Sequence, residues 1–141
     1  MELSQLVGFS VLVGVLGVGL SVLLWAYLGT GSQAVLFETP VEAKGLASDT
    51  DRLFQRGCEE FKTGNYRKAA STFAGCLLSH PELAEAYHNR GLALANLSRD
   101  DDAVEDLLLA GERYAAIDRV QGLKAVREAL AAIQARKREN V

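Results

Sequence analysis

The stretches GNYRKAASTFAGCLLSHP (residues 64–81) and AEAYHNRGLALANL (residues 84–97) decide the fold of this 141-residue chain. Counting outward from them, small and apolar residues recur at a spacing of 34: Gly57 as Gly91, Ala69 as Ala103, Phe73 as Leu107, and Cys76 as Ala110. A period of this length is typical of an array of helix-turn-helix repeats. We expect the small residues to lie where paired helices pass closest.

Each 34-residue unit divides into two helices joined by a short turn. The first unit covers residues 50–83, with a turn at residues 63–65 and Pro81 near its end, where a ring without an N–H can stop a helix. The second unit covers residues 84–117, with a turn at residues 98–100. The soluble part is therefore predicted to be all-α.

Both stretches resemble the pattern of the tetratricopeptide repeat (TPR) family, W/Y-x2-L-G-x2-Y, then G-x-Y-x2-A-x3-F-x2-A and a closing Pro. The second unit carries the first half of this pattern and the first unit carries the second half. Arg56 and Arg90 stand where the family has Leu, Glu60 where it has Tyr, and Ala115 where it has Pro. The resemblance covers about half of the chain and implies a module that binds other proteins.

Residues 118–138 are predicted to form a helix that caps the open apolar face of the second unit. Apolar residues recur there at helical spacing, at Val120, Leu123, Val126, Leu130 and Ile133. Asp118 and Gln121 resemble a capping box. We expect the triplet Arg136-Lys137-Arg138 to be a solvated helix end, and the run Asp100-Asp101-Asp102 to cap the helix that it begins.

The N-terminal run from Leu6 to Leu28 contains no charged residue in 23 positions. At about 1.5 Å per residue it can span a hydrocarbon core of ~30 Å, so a transmembrane helix is predicted over residues 6–28, after a tail of residues 1–5. A cleavable signal peptide ending near Ala34 is the alternative. The tail has no Lys or Arg, and the run exceeds the usual apolar region of about 7–15 residues, which favours a permanent anchor.

Four small residues are spaced so that they share one face of this helix: Ser10, Gly14, Gly17 and Ser21. Such a stripe favours close packing against another membrane helix, from a partner or from a second copy of the chain in a homo-oligomer. Chance alignment of common membrane residues is the alternative. The first basic residues after the span, Lys44 and Arg52, favour a cytoplasmic (or stromal) soluble domain.

Residues 29–49 have no sustained period and are predicted to be a linker. The run Ala34-Val35-Leu36-Phe37 is unexpectedly apolar for a linker. We expect it to lie on the membrane surface or against the folded domain.

The TPR resemblance also implies a binding surface, because TPR proteins typically bind partners on a concave face lined by the first helix of each unit. Carried over by position, this face comprises Asp51, Phe54, Cys58, Phe61 and Lys62, with Glu85, His88, Leu92, Ala95 and Asn96. Exposed Phe54 and Phe61 would suit an apolar or extended segment; the alternative is that they pack against the linker or the membrane surface. Phe54, Cys58 and Glu85 do not fit the subfamily that clamps chaperone carboxylates.

The charge balance and the cysteine and histidine positions argue against nucleic-acid binding and against catalysis. Residues 50–141 carry 14 Lys/Arg and 14 Asp/Glu, so the domain lacks the basic footprint of a nucleic-acid binder. Cys58 and Cys76 form no CxxC pattern and are predicted to be buried apolar residues. His80 and His88 belong to no plausible triad or metal site. No enzymatic activity, cofactor or metal is expected.

The sequence thus predicts a single-pass membrane protein with two TPR units and a capping helix. Its expected function is a protein-interaction scaffold, an assembly or stability factor whose partners are subunits of a membrane protein complex. The layout resembles the photosystem I assembly TPR proteins of cyanobacteria and plastids, in architecture only. The alternative is a membrane-anchored receptor that binds short peptide segments in protein targeting.

Overall fold

The computed structural model describes residues 34–46 and 48–140, and this part of the chain is all-α, with five helices and no strand. The helices are α1 (Ser48–Lys62), α2 (Tyr66–Ser79), α3 (Ala84–Asn96), α4 (Asp100–Ala116) and α5 (Val120–Glu139). The predicted transmembrane helix and its packing face at Ser10, Gly14, Gly17 and Ser21 lie outside the described residues. Among the described helices, none combines the length and apolarity needed to cross a bilayer.

Each helix packs against the next one along the chain. The connections are three or four residues long, so consecutive helices are antiparallel neighbours. Gly64, Ser98 and Asp118 take left-handed φ values of 78°, 57° and 51° in three of these connections. That conformation commonly ends a helix and lets the chain reverse. The turn predicted at residues 63–65 is confirmed.

Two glycines mark close helix crossings within the repeat units. A Cβ added at Gly57 would lie 2.7 Å from Cε1 of Phe73, and one added at Gly91 would lie 3.0 Å from Cγ of Leu107. These distances leave no room for a side chain. The two pairs are related by the 34-residue spacing, so the same contact recurs in α1–α2 and α3–α4, as the sequence pattern predicts.

α5 covers the exposed side of α4 with an apolar stripe. Val126 and Ile133 are buried, and Leu123 and Leu130 pack against the core. Val120, the first residue of α5, is 72% exposed and takes no part in this stripe.

The predictions for helix ends need correction. The N-cap residues of α4 and α5 are Arg99 and Arg119, and neither side chain makes a cap hydrogen bond. The acidic run lies in the first turn of α4, as predicted, but none of its residues is at the N-cap position. The capping box predicted at Asp118 is wrong. Asp118 lies in the turn with a left-handed φ, outside the cap position.

Two carboxylates of the acidic run, Asp100 and Asp101, pair with the basic end of α5. Arg136 contacts Asp100 and donates to the Ala95 carbonyl at 2.9 Å, and Lys137 lies 2.6 Å from Asp101. Arg136, whose side chain is 17% exposed, is therefore not solvated as predicted, whereas Lys137 and Arg138 are exposed as expected. The reason is that antiparallel packing brings the C-terminal end of α5 to the α3–α4 turn.

Candidate functional site

An extended segment, residues 34–46, lies across α3 and is held at one end by Asn96. The Asn96 Oδ1 atom accepts hydrogen bonds from the Leu36 and Phe37 amides, at 3.0 and 2.9 Å. Its Nδ2 atom donates to the Phe37 carbonyl at 2.7 Å. One side-chain amide therefore satisfies both main-chain groups of Phe37.

Asn89 holds the other end of the segment in the same way. Its Oδ1 atom accepts from the Val41 amide at 2.6 Å, and its Nδ2 atom donates to the Val41 carbonyl at 2.8 Å. Nδ2 also lies 3.9 Å from Sγ of Cys58 on α1. Asn89 is fully buried, so these contacts replace all of the water that its amide would otherwise bind.

The spacing of the two asparagines matches the length of the segment. Asn89 and Asn96 are seven residues apart, which is two helical turns on one face and about 10.5 Å along the axis. Phe37 and Val41 are four residues apart, which covers about 13 Å when fully extended. A bend at Thr39 shortens the chain. The segment therefore runs opposite to α3, with both of its paired residues in register.

The side chains of the segment divide into an inner and an outer set. Leu36 and Phe37 pack against the core, and Ala43 is itself a core residue at 7% exposure. The outward-facing residues are exposed: Glu38, Thr39, Glu42 and Lys44. The part of the linker that begins at residue 34 is thus a docked segment, which agrees with one of the two locations expected for its apolar run.

Most of the predicted concave-face residues are covered. Asp51 is half-buried and Lys62 is exposed, whereas these are buried: Phe54, Cys58, Phe61, Glu85, His88, Leu92, Ala95 and Asn96. The Phe54 ring packs edge-on against Phe73 at 5.4 Å, and the Phe61 ring against Tyr66 at 5.1 Å. Both rings therefore help to join α1 to α2, and the residue of this set that hydrogen-bonds the segment is Asn96.

We call the surface under residues 36–43, which includes Asn89 and Asn96 of α3 and Cys58 of α1, the groove. The buried ionisable groups of this part of α1 and α3 carry no unpaired charge. Burial lowers the pKa of His88 to about 4, so the imidazole is neutral at physiological pH, with Nδ1 3.4 Å from the Tyr114 hydroxyl. Burial raises the pKa of Cys58 to about 11, which keeps it a thiol. Glu85 is paired with Arg119. Neutral amides and apolar side chains suit the binding of an uncharged main chain. Neither the Cys58 thiol nor the neutral His88 is an activated nucleophile.

The sequence pattern missed Asn89 as a contact residue. Its signal was its spacing from Asn96, since positions i and i+7 of one helix lie on the same face. The pattern also gave no function to Arg90. Its Nε and Nη2 atoms form a bidentate pair with Asp106 of α4, both at 2.6 Å, and this pair fills a position that is Leu in TPR proteins.

The residues at 34–46 and 48–140 contain no group of three or more His, Cys, Asp or Glu side chains that could hold a metal ion. Both cysteines are free and buried, as predicted. Comparisons of the chain with protein-family models, with curated proteins and with solved structures gave no match.

Proposed function

We propose that this protein is a membrane-anchored protein-interaction scaffold that supports the assembly or stability of a membrane protein complex. The observation that carries the proposal is the groove across α3, where Asn89 and Asn96 hold an extended stretch of main chain at two points. Paired main-chain hydrogen bonds with flanking apolar contacts are a recurring way in which proteins bind extended segments of other proteins.

The repeat pattern supports the same class of function. The Gly57–Phe73 and Gly91–Leu107 crossings recur at the 34-residue spacing that the TPR resemblance requires. TPR proteins act by binding other proteins, and this resemblance is the reason to propose a binding function in place of an enzymatic one. Photosystem I is a candidate complex by analogy of layout.

The membrane helix proposed for residues 6–28 would supply a second contact surface. Its small-residue face would let a neighbouring helix approach closely, so the protein would touch its complex both within the bilayer and on the cytoplasmic (or stromal) side. A scaffold with two surfaces gains avidity, because the second contact forms at a high effective concentration.

Crosslinking and affinity purification of the full-length protein from its native membrane test this proposal. We expect recovery in a larger membrane complex, weakened by Gly14→Leu or Gly17→Leu. Gly19→Leu is the matched control, because position 19 faces away from the stripe on the proposed helix. Recovery of only free monomer in mild detergent contradicts the scaffold function.

A receptor for short segments in protein targeting is the second candidate, and the extended segment in the groove favours it. The two functions differ in how long the protein stays bound to its partner. A scaffold remains bound to a defined complex at fixed stoichiometry, whereas a receptor releases its cargo. Crosslinks to many unrelated polypeptides, with no stable complex after purification, would support the receptor.

A further inference from the structure

We propose that the groove across α3 binds an extended segment of a partner protein, and that residues 36–43 of this chain are an internal occupant that the partner must displace. This rests on the proposed function, since it concerns the same groove. The occupant already seated there defines the chemistry of the partner segment.

The main-chain contacts set the first requirement on that partner. Asn96 and Asn89 each bind an N–H and a C=O of one residue, and those residues are four positions apart. Any extended chain can offer these groups, so they give affinity without choosing a sequence. Proline is accepted between them, at the position of Pro40, because no hydrogen bond from that residue to α3 is needed.

The buried side chains set the second requirement. Leu36 and Phe37 pack against the core, Val41 is half-buried, and Ala43 is 7% exposed, so only a small residue fits there. Glu38, Thr39 and Glu42 face solvent. The partner is therefore an extended segment with two adjacent apolar residues, an aliphatic residue four positions after the second of them, and a small residue two positions further on.

The contacts that hold residues 36–43 can be exchanged. They are neutral amide hydrogen bonds and apolar packing, and no ion pair joins residues 34–46 to the described helices. Gly45 has a φ of 75° and open space around it, so the chain can turn there without steric hindrance. A partner segment could make the same contacts once the internal one has left.

The covalent connection between residues 36–43 and α1 determines how strongly this segment competes with a partner segment for the groove. A segment joined by a short connection acts at an effective concentration in the millimolar range, so an equal segment in solution binds poorly until the internal one is released. Release should therefore raise the apparent affinity about tenfold or more.

Peptide binding to the full-length protein in detergent tests the proposal. The probe is a labelled peptide of residues 34–46, AVLFETPVEAKGL. The release variant is Leu36→Asp/Phe37→Asp, which places charges in the packed end of the internal segment. We expect weak binding to the wild type, at least about tenfold tighter binding to the release variant, and none when Asn89→Ala/Asn96→Ala is added. Glu38→Lys, at an exposed position, is the control and should match the wild type.

The two native cysteines report on the groove and on the fold in the same samples. Cys58 is 4% exposed beside the Asn89–Val41 contact, and Cys76 is fully buried. We expect a thiol reagent to label Cys58 faster in the release variant, more slowly again with peptide present, and Cys76 not at all. If Cys76 is labelled, the variant has lost its fold, and Phe37→Ala replaces it.

Three results overturn the proposal. The first is a Cys58 that stays protected in a folded release variant, and the second is a labelled Cys58 with no peptide binding. The third is a release variant that forms a stable dimer which the peptide dissolves, because the occupant would then be a second copy of this chain.

The native purification separates this inference from the proposed function. A complex that is recovered equally with the wild type and the release variant, together with absent peptide binding, rejects the inference and leaves the scaffold function intact. If the release variant binds the peptide tightly but only free monomer is recovered from the membrane, the scaffold function is rejected and the inference stands.

Discussion

Two faces of α3 hold their neighbours by different chemistry. On one face, Asn89 and Asn96 bind the main chain of a segment that lies 48 to 60 residues earlier in the sequence. On another, Arg90 binds the carboxylate of Asp106, 16 residues later. An amide recognises any extended main chain, whereas the bidentate ion pair recognises one side chain on the adjacent helix. The groove contact is therefore the less specific of the two, whereas the α3–α4 contact is part of the fold.

The largest effect is expected from breaking the contact that belongs to the fold. Arg90→Ala leaves the Asp106 carboxylate, which is 5% exposed, without its partner, and we expect a loss of about 3 kcal/mol in the free energy of unfolding. Urea denaturation measures it. Arg99→Ala is the control, because its pair with Asp102 is exposed on both sides and should contribute no more than about 0.5 kcal/mol. Equal losses in the two variants would show that Arg90–Asp106 is an ordinary surface pair.

Acid should weaken the fold through His88, beside the groove. Burial holds the folded pKa near 4, below the ordinary value of 6.5, so the unfolded chain takes up this proton first as the pH falls. The neutral His88 side chain contributes about 3 kcal/mol to the free energy of unfolding, and this contribution is fully present above about pH 6.5. It is lost as the pH falls from 6.5 through 4. Denaturant melts between pH 7 and 4 measure it. His88→Gln should flatten this part of the curve, and an unchanged slope in that variant contradicts the assignment.

The helix crossings should be sensitive to a single methyl group. Gly57→Ala places Cβ 2.7 Å from the buried Phe73 ring, and we expect a net loss of about 1–3 kcal/mol despite the better helix propensity of Ala. Gly111→Ala is the matched control, since its nearest neighbour, Val126, would be at an ordinary 3.6 Å. Thermal unfolding compares the two, and a Gly57→Ala variant as stable as the control argues against close packing at this crossing.

The smallest global effect is expected in the groove. Asn96→Ala removes three hydrogen bonds to Leu36 and Phe37, yet the segment can leave and be hydrated, so we expect a loss of only about 1 kcal/mol. Gln55→Ala, which removes an exposed side-chain amide from α1, is the control. A loss as large as that of Arg90→Ala would remove the distinction between the two faces of α3.

The helices were predictable because their signals are local. The 34-residue spacing and the apolar period of residues 120–133 give the elements, and Gly57 and Gly91 give the crossings. The docked segment was less predictable than the helices, because it has no period and its hydrogen-bond partners lie 48 to 60 residues away in the sequence. The sequence offered two signals, the apolar run of the segment and the Asn89–Asn96 spacing. Nothing in either signal indicates that the two regions bind each other.

The same limit explains the helix ends. Asp100 and Asp101 have the composition of a cap, and a sequence pattern favours the local partner over a distant one. Only the packing of α5 shows that Arg136 and Lys137 reach them. Asp100 and Asp101 therefore pair with cations that lie 36 residues later in the sequence, which a rule for local capping does not predict.

Hydrogen exchange at the segment amides tests the central claim most directly. In the full-length protein, the Leu36, Phe37 and Val41 amides should be protected because Asn96 and Asn89 accept their hydrogen bonds. Asn96→Ala should expose Leu36 and Phe37 first, and Asn89→Ala should expose Val41 first, while the α3 amides remain protected in both. Exchange of all three segment amides at the rate of an unstructured chain in the wild type would contradict the docked segment and the exchangeable groove built on it.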